Sequence, residues 1–215
     1  MNNGLLSMKT TYSFPNQGIR IALVGGAGSG KDTMASMIVR HVNNCHRLAF
    51  ADALKKDSDR VIHMLASTLG FEHHPFMEQV RSNDPDIKNV LRPLWQWLGT
   101  DLIRNTINRR YWINELEDSM NKIIELSEKY IVPSFVISDC RFENEHSWAK
   151  SQGFVSIHVS GIWQGDMKNL DHESEQEHDR FSCDMIYYNY GTMEDMEDWV
   201  KNTLIPMCKE NSSYE

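Results

Sequence analysis

What the chain lacks narrows its class. No apolar run approaches the ~18–20 residues that cross a bilayer as a helix, so no membrane protein is expected. Lys and Arg number 22 against 30 Asp and Glu, a formal net charge of -8. Such a balance lacks the clustered cations with which proteins coat a nucleic-acid polymer. It leaves a small anionic ligand open, because a few placed cations and backbone amides bind phosphate inside an acidic protein. Cysteines number four, and none stands at Cys-x-x-Cys spacing. With no secretory leader recognised, Cys45, Cys140, Cys183 and Cys208 read as reduced thiols of a cytoplasmic protein. The histidine pairs 73/74 and 172/178 lack metal-ligand geometry, and no His-Glu-x-x-His occurs, so no zinc site is expected. The Asn-Lys-x-Asp of GTPase switches is missing too, since Asn121-Lys122-Ile123-Ile124 fails at its last position.

What is present is the pattern of one α/β domain. The 215 residues hold 40% hydrophobic and 24% charged side chains, ordinary for a globular protein. Residues 1–17 are polar and aperiodic and are expected as a flexible extension. A single domain is expected over 18–208, with a tail at 209–215. Apolar runs predict strands at 18–24, 47–50, 131–138, 154–160 and 185–188. Helical spacing is predicted through Met34, Met37 and Ile38, through Val61, Ile62, Leu65 and Leu69, and over 90–107, where Pro93 must start or kink a helix. Further helices are expected at 113–124, 143–151 and 192–204, and 70–85 reads as a polar loop. Strands alternating with helices imply a parallel sheet covered on both faces, with ligands at the carboxyl ends of its strands.

The first strand runs into Gly25-Gly26-Ala27-Gly28-Ser29-Gly30-Lys31-Asp32-Thr33, a match to G-x-x-x-x-G-K. Glycines let successive N–H groups point inward at phosphate oxygens, and the following helix adds its positive dipole end. Residues 26–33 are therefore the expected ATP-binding segment, with Lys31 a flexible cation for the β- and γ-phosphates. Asp32 stands where many such loops carry the magnesium-binding hydroxyl, and Thr33 follows one position later. Asp32 has three readings: a water-mediated Mg²⁺ ligand, a group that positions the acceptor, or a first-turn acid favoured by the helix dipole.

A second acidic strand end, Asp139-Cys140-Arg141, suits the ordering of magnesium-bound water or contact with an acceptor. Asp139 and Thr33 are thus the expected metal residues, mainly through water. Arg141 is placed to grip an acceptor phosphate bidentately. Arg92, Arg104, Arg109, Arg110 and Arg180 are further arginines able to offset transition-state charge. The acidic stretch 163–182 follows a strand and reads as a lid that excludes water, with Arg180 turning toward the phosphates. The expected catalytic set is Lys31, Asp32, Asp139, Arg141 and Arg180.

Taken together, these motifs resemble the deoxynucleoside monophosphate kinases of tailed bacteriophages. The carriers are the Gly-Lys-Asp-Thr loop ending, Phe50-Ala51-Asp52-Ala53-Leu54-Lys55, Trp95-Gln96-Trp97-Leu98-Gly99-Thr100-Asp101, and Asp139-Cys140-Arg141-Phe142-Glu143-Asn144-Glu145. His172-Glu173-Ser174-Glu175, Asp184-Met185-Ile186 and Asn189-Tyr190-Gly191-Thr192 resemble the family's lid and closing segments. The resemblance implies a three-layer P-loop fold of the nucleoside-monophosphate-kinase type. It implies transfer of the ATP γ-phosphate to a deoxynucleoside 5′-monophosphate with Mg²⁺, and an acceptor region over about 52–130. Asp52, Lys55, Arg92, Arg104, Arg141 and Glu143 are implied around the acceptor. Rival readings are a kinase resembling dephospho-coenzyme A or phosphomevalonate kinases, and a non-catalytic nucleotide-binding module. Neither nucleic-acid polymer nor membrane is an expected partner, and a homodimer is left open.

Overall fold

The computed structural model describes residues 18–80, 82, 84–128, 131–161 and 181–211. The extension at 1–17 and all but the last two residues of the expected lid, Arg180 included, lie outside the described residues.

Strand β1 (Arg20–Val24) carries Ile21, Ala22, Leu23 and Val24, all fully buried. A strand apolar on both faces belongs in the middle of a covered sheet. It pairs in parallel with β3 (Ser134–Cys140) on one side and β4 (Val155–Gly161) on the other. Ile21 sits opposite Val136 and Val155 across these two ladders. β2 (Cys45–Leu48) flanks β3, and β5 (Met185–Asn189) flanks β4. The order is β2-β3-β1-β4-β5, parallel throughout.

The two-residue period of β1 sends its side chains to opposite faces. Ile21 and Leu23 join Met34 and Ile38 of α1 (Lys31–His41) and Met196 of α7 (Met193–Trp199). Leu204 and Cys208 complete that face, the latter on the last helix, α8 (Ile205–Asn211). Ala22 and Val24 join Phe50 of α2 (Phe50–Leu69), Trp112 and Leu116 of α5 (Tyr111–Leu126), and Trp148 of α6 (Glu143–Ser151). Each fully buried aliphatic side chain of this kind contributes about 1.5–3 kcal/mol. Helices thus cover both faces, the three-layer arrangement expected.

Several boundaries differ from expectation, each for a local reason. β2 ends at Leu48, and Phe50 opens α2, because Asp139 accepts the first N–H groups of that helix. The polar loop holds a short helix, α3 (Pro75–Gln79), started by Pro75 and by the His74 ring, which accepts from the Phe76 N–H. α4 (Pro85–Gln96) starts at Pro85 behind the cap Asp84, so Pro93 lies inside it. Proline supplies no N–H to the ladder, and one turn later the helix widens to a π-helical stretch, Trp97–Ile107. The carboxyl end is helical through Asn211 rather than a tail from 209. Val61, Leu65 and Leu69 lie on α2 as their spacing predicts, and they are exposed there.

All four cysteines are free thiols. Burial pushes Cys45 and Cys208 up to about 12, which suits inert thiols. No helix among the described residues is long and apolar enough to cross a membrane.

Candidate active site

The glycine loop leaves β1 and is clamped by the two strands beyond it. Gly25 has φ +140°, and a Cβ there would meet the Val159 carbonyl oxygen of β4 at 2.5 Å. Gly30 has φ +102°, and a Cβ there would meet Nδ2 of Asn189 at 2.6 Å. Asn189, the last residue of β5, donates from Nδ2 to the Ser29 carbonyl at 2.9 Å. Lys31 opens α1 and is buried. Its Nζ folds back over the loop, donating to the Gly26 carbonyl at 2.5 Å and approaching Ser29 Oγ at 3.3 Å. An ammonium curled over a glycine loop at a helix amino end is the arrangement a phosphate would engage.

Beside the loop lies a cavity of about 330 Å³. Ala27, Gly28, Lys31 and Asp32 line it from the loop side, and Asp139, Arg141, Phe142 and Glu145 from the end of β3. Six cations line it, Lys31, Arg47, Lys55, Lys88, Arg92 and Arg141, against the three carboxyls of Asp32, Asp139 and Glu145. The excess suits polyanionic ligands in a chain that is acidic overall. A second cleft of about 540 Å³ contains Arg109, Arg110, Glu143 and Asn144 but no residue of the glycine loop. Phosphate chemistry belongs with the loop, so the smaller cavity is the candidate site.

Asp139 does more for the backbone than its sequence position implies. Oδ1 accepts the Phe50 N–H at 2.8 Å and Oδ2 the Ala51 N–H at 2.9 Å, which closes the amino end of α2. Burial pushes its carboxyl upward; these hydrogen bonds and the Arg141 charge oppose that. Glu145 has a parallel role on α6. Its Oε2 accepts the N–H of Arg141 at 2.9 Å and of Phe142 at 3.1 Å. Burial raises the Glu145 carboxyl to about 8, and the nearby Asp139 adds to the rise.

The remaining expected residues divide. Asp32, on the first turn of α1, is 84% exposed and 3.6 Å from the Arg47 guanidinium. The same guanidinium is 3.3 Å from Asp52, which does not itself line the cavity. Thr33 is half-buried on the same first turn. Lys55 lies over the Trp95 ring, 5.7 Å from its centroid. Arg92 lines the cavity, whereas Arg104 does not. Arg104 is buried in a separate contact, stacked 3.7 Å over Phe142 and donating to Asn144 Oδ1 at 3.2 Å. Asn144 in turn donates to the Arg109 carbonyl at 2.9 Å, tying α6 to the turn before α5. Glu143 is exposed and faces the second cleft, because α6 turns it away and brings Glu145 inward.

Arg47, Lys88, Glu145 and Asn189 enter the site without having been singled out for it. Glu145 had a signal, three residues after the cap Phe142, where a glutamate reaches back to the cap. Arg47 and Lys88 had none, because a lone surface cation and a cavity cation look alike in sequence.

A family model described as deoxynucleotide monophosphate kinase matches residues 64–200 of this chain. The chain belongs to the deoxynucleotide monophosphate kinase family. The matched stretch starts beyond the glycine loop, so the loop and the α2 cap stand as separate evidence. The deoxynucleotide monophosphate kinase of Enterobacteria phage T4 is 34% identical over 115 residues, 53% of this chain and 45% of that protein. The chain therefore spans less than half the length of that relative. A putative deoxynucleotide monophosphate kinase of Acanthamoeba polyphaga mimivirus is 28% identical over 211 residues, 91% of this chain and 98% of that protein.

A kinase of this family handles nucleotide phosphates, which raises the question of a divalent cation. Hard cations take oxygen donors and keep several waters when a substrate phosphate completes the shell. Asp32 and Thr33 offer an exposed carboxylate and a hydroxyl at successive positions after Lys31, and Asp139 adds buried oxygens in the cavity that Asp32 also lines. This donor set fits such an ion, bound chiefly through water and phosphate. Among the described residues no three His, Cys, Asp or Glu side chains form a closed metal cage.

Proposed function

We propose that this chain transfers the γ-phosphate of ATP to a deoxynucleoside 5′-monophosphate, releasing ADP and the deoxynucleoside diphosphate. The observation that carries the reading is the continuity of the Lys31 loop with a cavity lined by six cations. Such a site accommodates two sets of phosphates, one on the loop and one beside it.

The donor phosphates lie on the amides of residues 26–31 with the α1 amino end behind them. Lys31 exchanges its contact with the Gly26 carbonyl for the β- and γ-oxygens. Arg141 and Arg92 hold the acceptor phosphate, with Lys55, Lys88 and Arg47 setting the local potential. Arg104 acts at one remove, by fixing Phe142 and Asn144 behind Arg141. An acceptor phosphate oxygen attacks the γ-phosphorus as the β–γ bridging bond breaks, and the electron pair leaves with ADP. The acceptor is already anionic, so no strong base and no covalent enzyme intermediate are needed. Asp32, Thr33 and Asp139 would hold Mg²⁺, which when bound neutralises charge on the β- and γ-oxygens. Arg180 on the acidic segment is assigned to the migrating group.

The reading includes a protein working free in the cytoplasm on small nucleotides, without a nucleic-acid polymer or a membrane as partner. Kinases resembling dephospho-coenzyme A or phosphomevalonate kinases are not favoured by the family match. ADP release by the purified chain tests the reading. It should require ATP, Mg²⁺ and a deoxynucleoside monophosphate together, and turnover of dephospho-coenzyme A or phosphomevalonate in its place would overturn it.

A further inference from the structure

The outer half of α2 packs on little of its own chain. Asp139 anchors the amino end of this 20-residue helix, and Gly70, at φ +75°, closes it. Of residues 60–71 only Ala66 is buried, with Ile62 half-buried. An isolated helix shorter than ~12–15 residues is marginal in water, so this half needs a packing surface. It has an apolar stripe to offer one. Val61, Met64, Leu65 and Leu69 fall at i, i+3, i+4 and i+8, on one helix face, and Phe71 follows the closing glycine. Val61 is exposed, Met64 is 66% exposed, Leu65 56%, and Leu69 and Phe71 58%. Residues 64–71 carry no charge. The centre of a protein–protein interface is likewise depleted of charge and enriched in Met and aromatic rings.

We propose that this stripe is a two-fold interface between two copies of the chain, formed by antiparallel contact of their α2 helices. The spacing is self-complementary. With Leu65 on the axis, facing its own copy, Val61 of each helix meets Leu69 of the other, the two lying four residues to either side. Antiparallel packing also sets opposed helix dipoles side by side. The five exposed side chains bare on the order of 500 Å² per copy, toward the upper range for an apolar patch on a monomer. Two such faces with their polar rims clear the ~1,000 Å² that a specific interface requires. Leu65 lies about 15 Å along the helix from Lys55 of the cavity wall, so the second copy steadies α2 without covering the cavity. The pairing does not depend on the reaction in that cavity.

Sedimentation velocity of the full chain at micromolar concentration tests the pairing. Wild type should sediment as a dimer, with an unfolding temperature that rises with protein concentration. Leu65→Glu sets two carboxylates against each other on the axis and should sediment as a monomer, its unfolding temperature independent of concentration. Should the glutamate variant not fold, cysteine cross-linking carries the test. Leu65→Cys should give a covalent dimer on oxidation, above the wild-type background, because its two copies meet on the axis. Val61→Cys alone should cross-link far less than an equimolar mixture with Leu69→Cys. A wild-type monomer, a dimer that Leu65→Glu leaves intact, or cross-linking of Leu65→Cys no greater than that of wild type would overturn the proposal.

Discussion

Asp139 at the end of β3 accepts the backbone N–H of Phe50 on α2 at 2.8 Å, and its other oxygen takes the next N–H at 2.9 Å. The strand end that bears Arg141 is thereby fixed to the helix that bears Lys55. Replacing Asp139 with alanine leaves two helix-end donors without their partner. We predict a loss of about 1–3 kcal/mol in urea denaturation, together with a fall in turnover. Asp139→Asn should lose less stability, because its amide oxygen still accepts one of the two N–H groups.

The Arg47 guanidinium stands between Asp32 and Asp52, at 3.6 and 3.3 Å. All three side chains are at least a third exposed, so their attraction contributes little to folding. Arg47→Met should therefore change stability by less than about 1 kcal/mol. It should nevertheless lower kcat/KM for the acceptor about tenfold or more, the scale of one charge-assisted hydrogen bond. Denaturation and kinetics on the same preparation separate the two effects.

The layers of the fold were legible because periodicity and burial obey the same geometry. Ile21 and Leu23 alternate with Ala22 and Val24, and each pair found its own helical face. The glycine loop was legible because its backbone demands fall on fixed positions. Direction was harder to read. Arg104 and Arg141 sit in equally suggestive motifs, but the π-helical stretch turns Arg104 onto Phe142, away from the cavity lining. Glu143 and Glu145 are two residues apart on a helix and so point to different clefts. Arg47 was invisible because its importance comes from β2 lying beside β3, a pairing across 89 positions of chain between Cys45 and Ser134.

Glu145 gives a pH prediction. Its carboxyl is raised from 4.5 to about 8, chiefly by burial. The protonated form is the one the folded state favours. Its contribution to stability is therefore complete below the ordinary carboxyl range and is lost as pH rises through about 8. Glu145→Gln keeps a neutral acceptor for the Arg141 and Phe142 N–H groups without titrating. Denaturation across pH 5–9 should show wild type losing stability relative to this variant, at most about 1.4 kcal/mol per pH unit. A difference that does not change with pH would place the ionised form in the fold.

Asn189 and Gly30 form the contact that holds the loop against β5. Asn189→Ala removes the donor to Ser29 and should cost about 1 kcal/mol while raising the KM for ATP more than that for the acceptor. Gly30→Ala combines an unfavourable φ with a 2.6 Å approach to Asn189, so it should lose more stability and nearly all turnover. Equal effects on the two Michaelis constants in Asn189→Ala would detach this contact from the donor site.

The central claim is that the Lys31 loop and its cationic cavity perform phosphoryl transfer to a deoxynucleoside monophosphate. The most direct measurement is ADP release by wild type and Lys31→Ala with ATP, Mg²⁺ and each of dTMP, dGMP, dCMP and dAMP, against a control lacking acceptor. The account predicts acceptor-dependent ADP from wild type and a loss of at least about 10²-fold in Lys31→Ala. ADP release that ignores the acceptor, or a Lys31→Ala protein near wild-type activity, would contradict it.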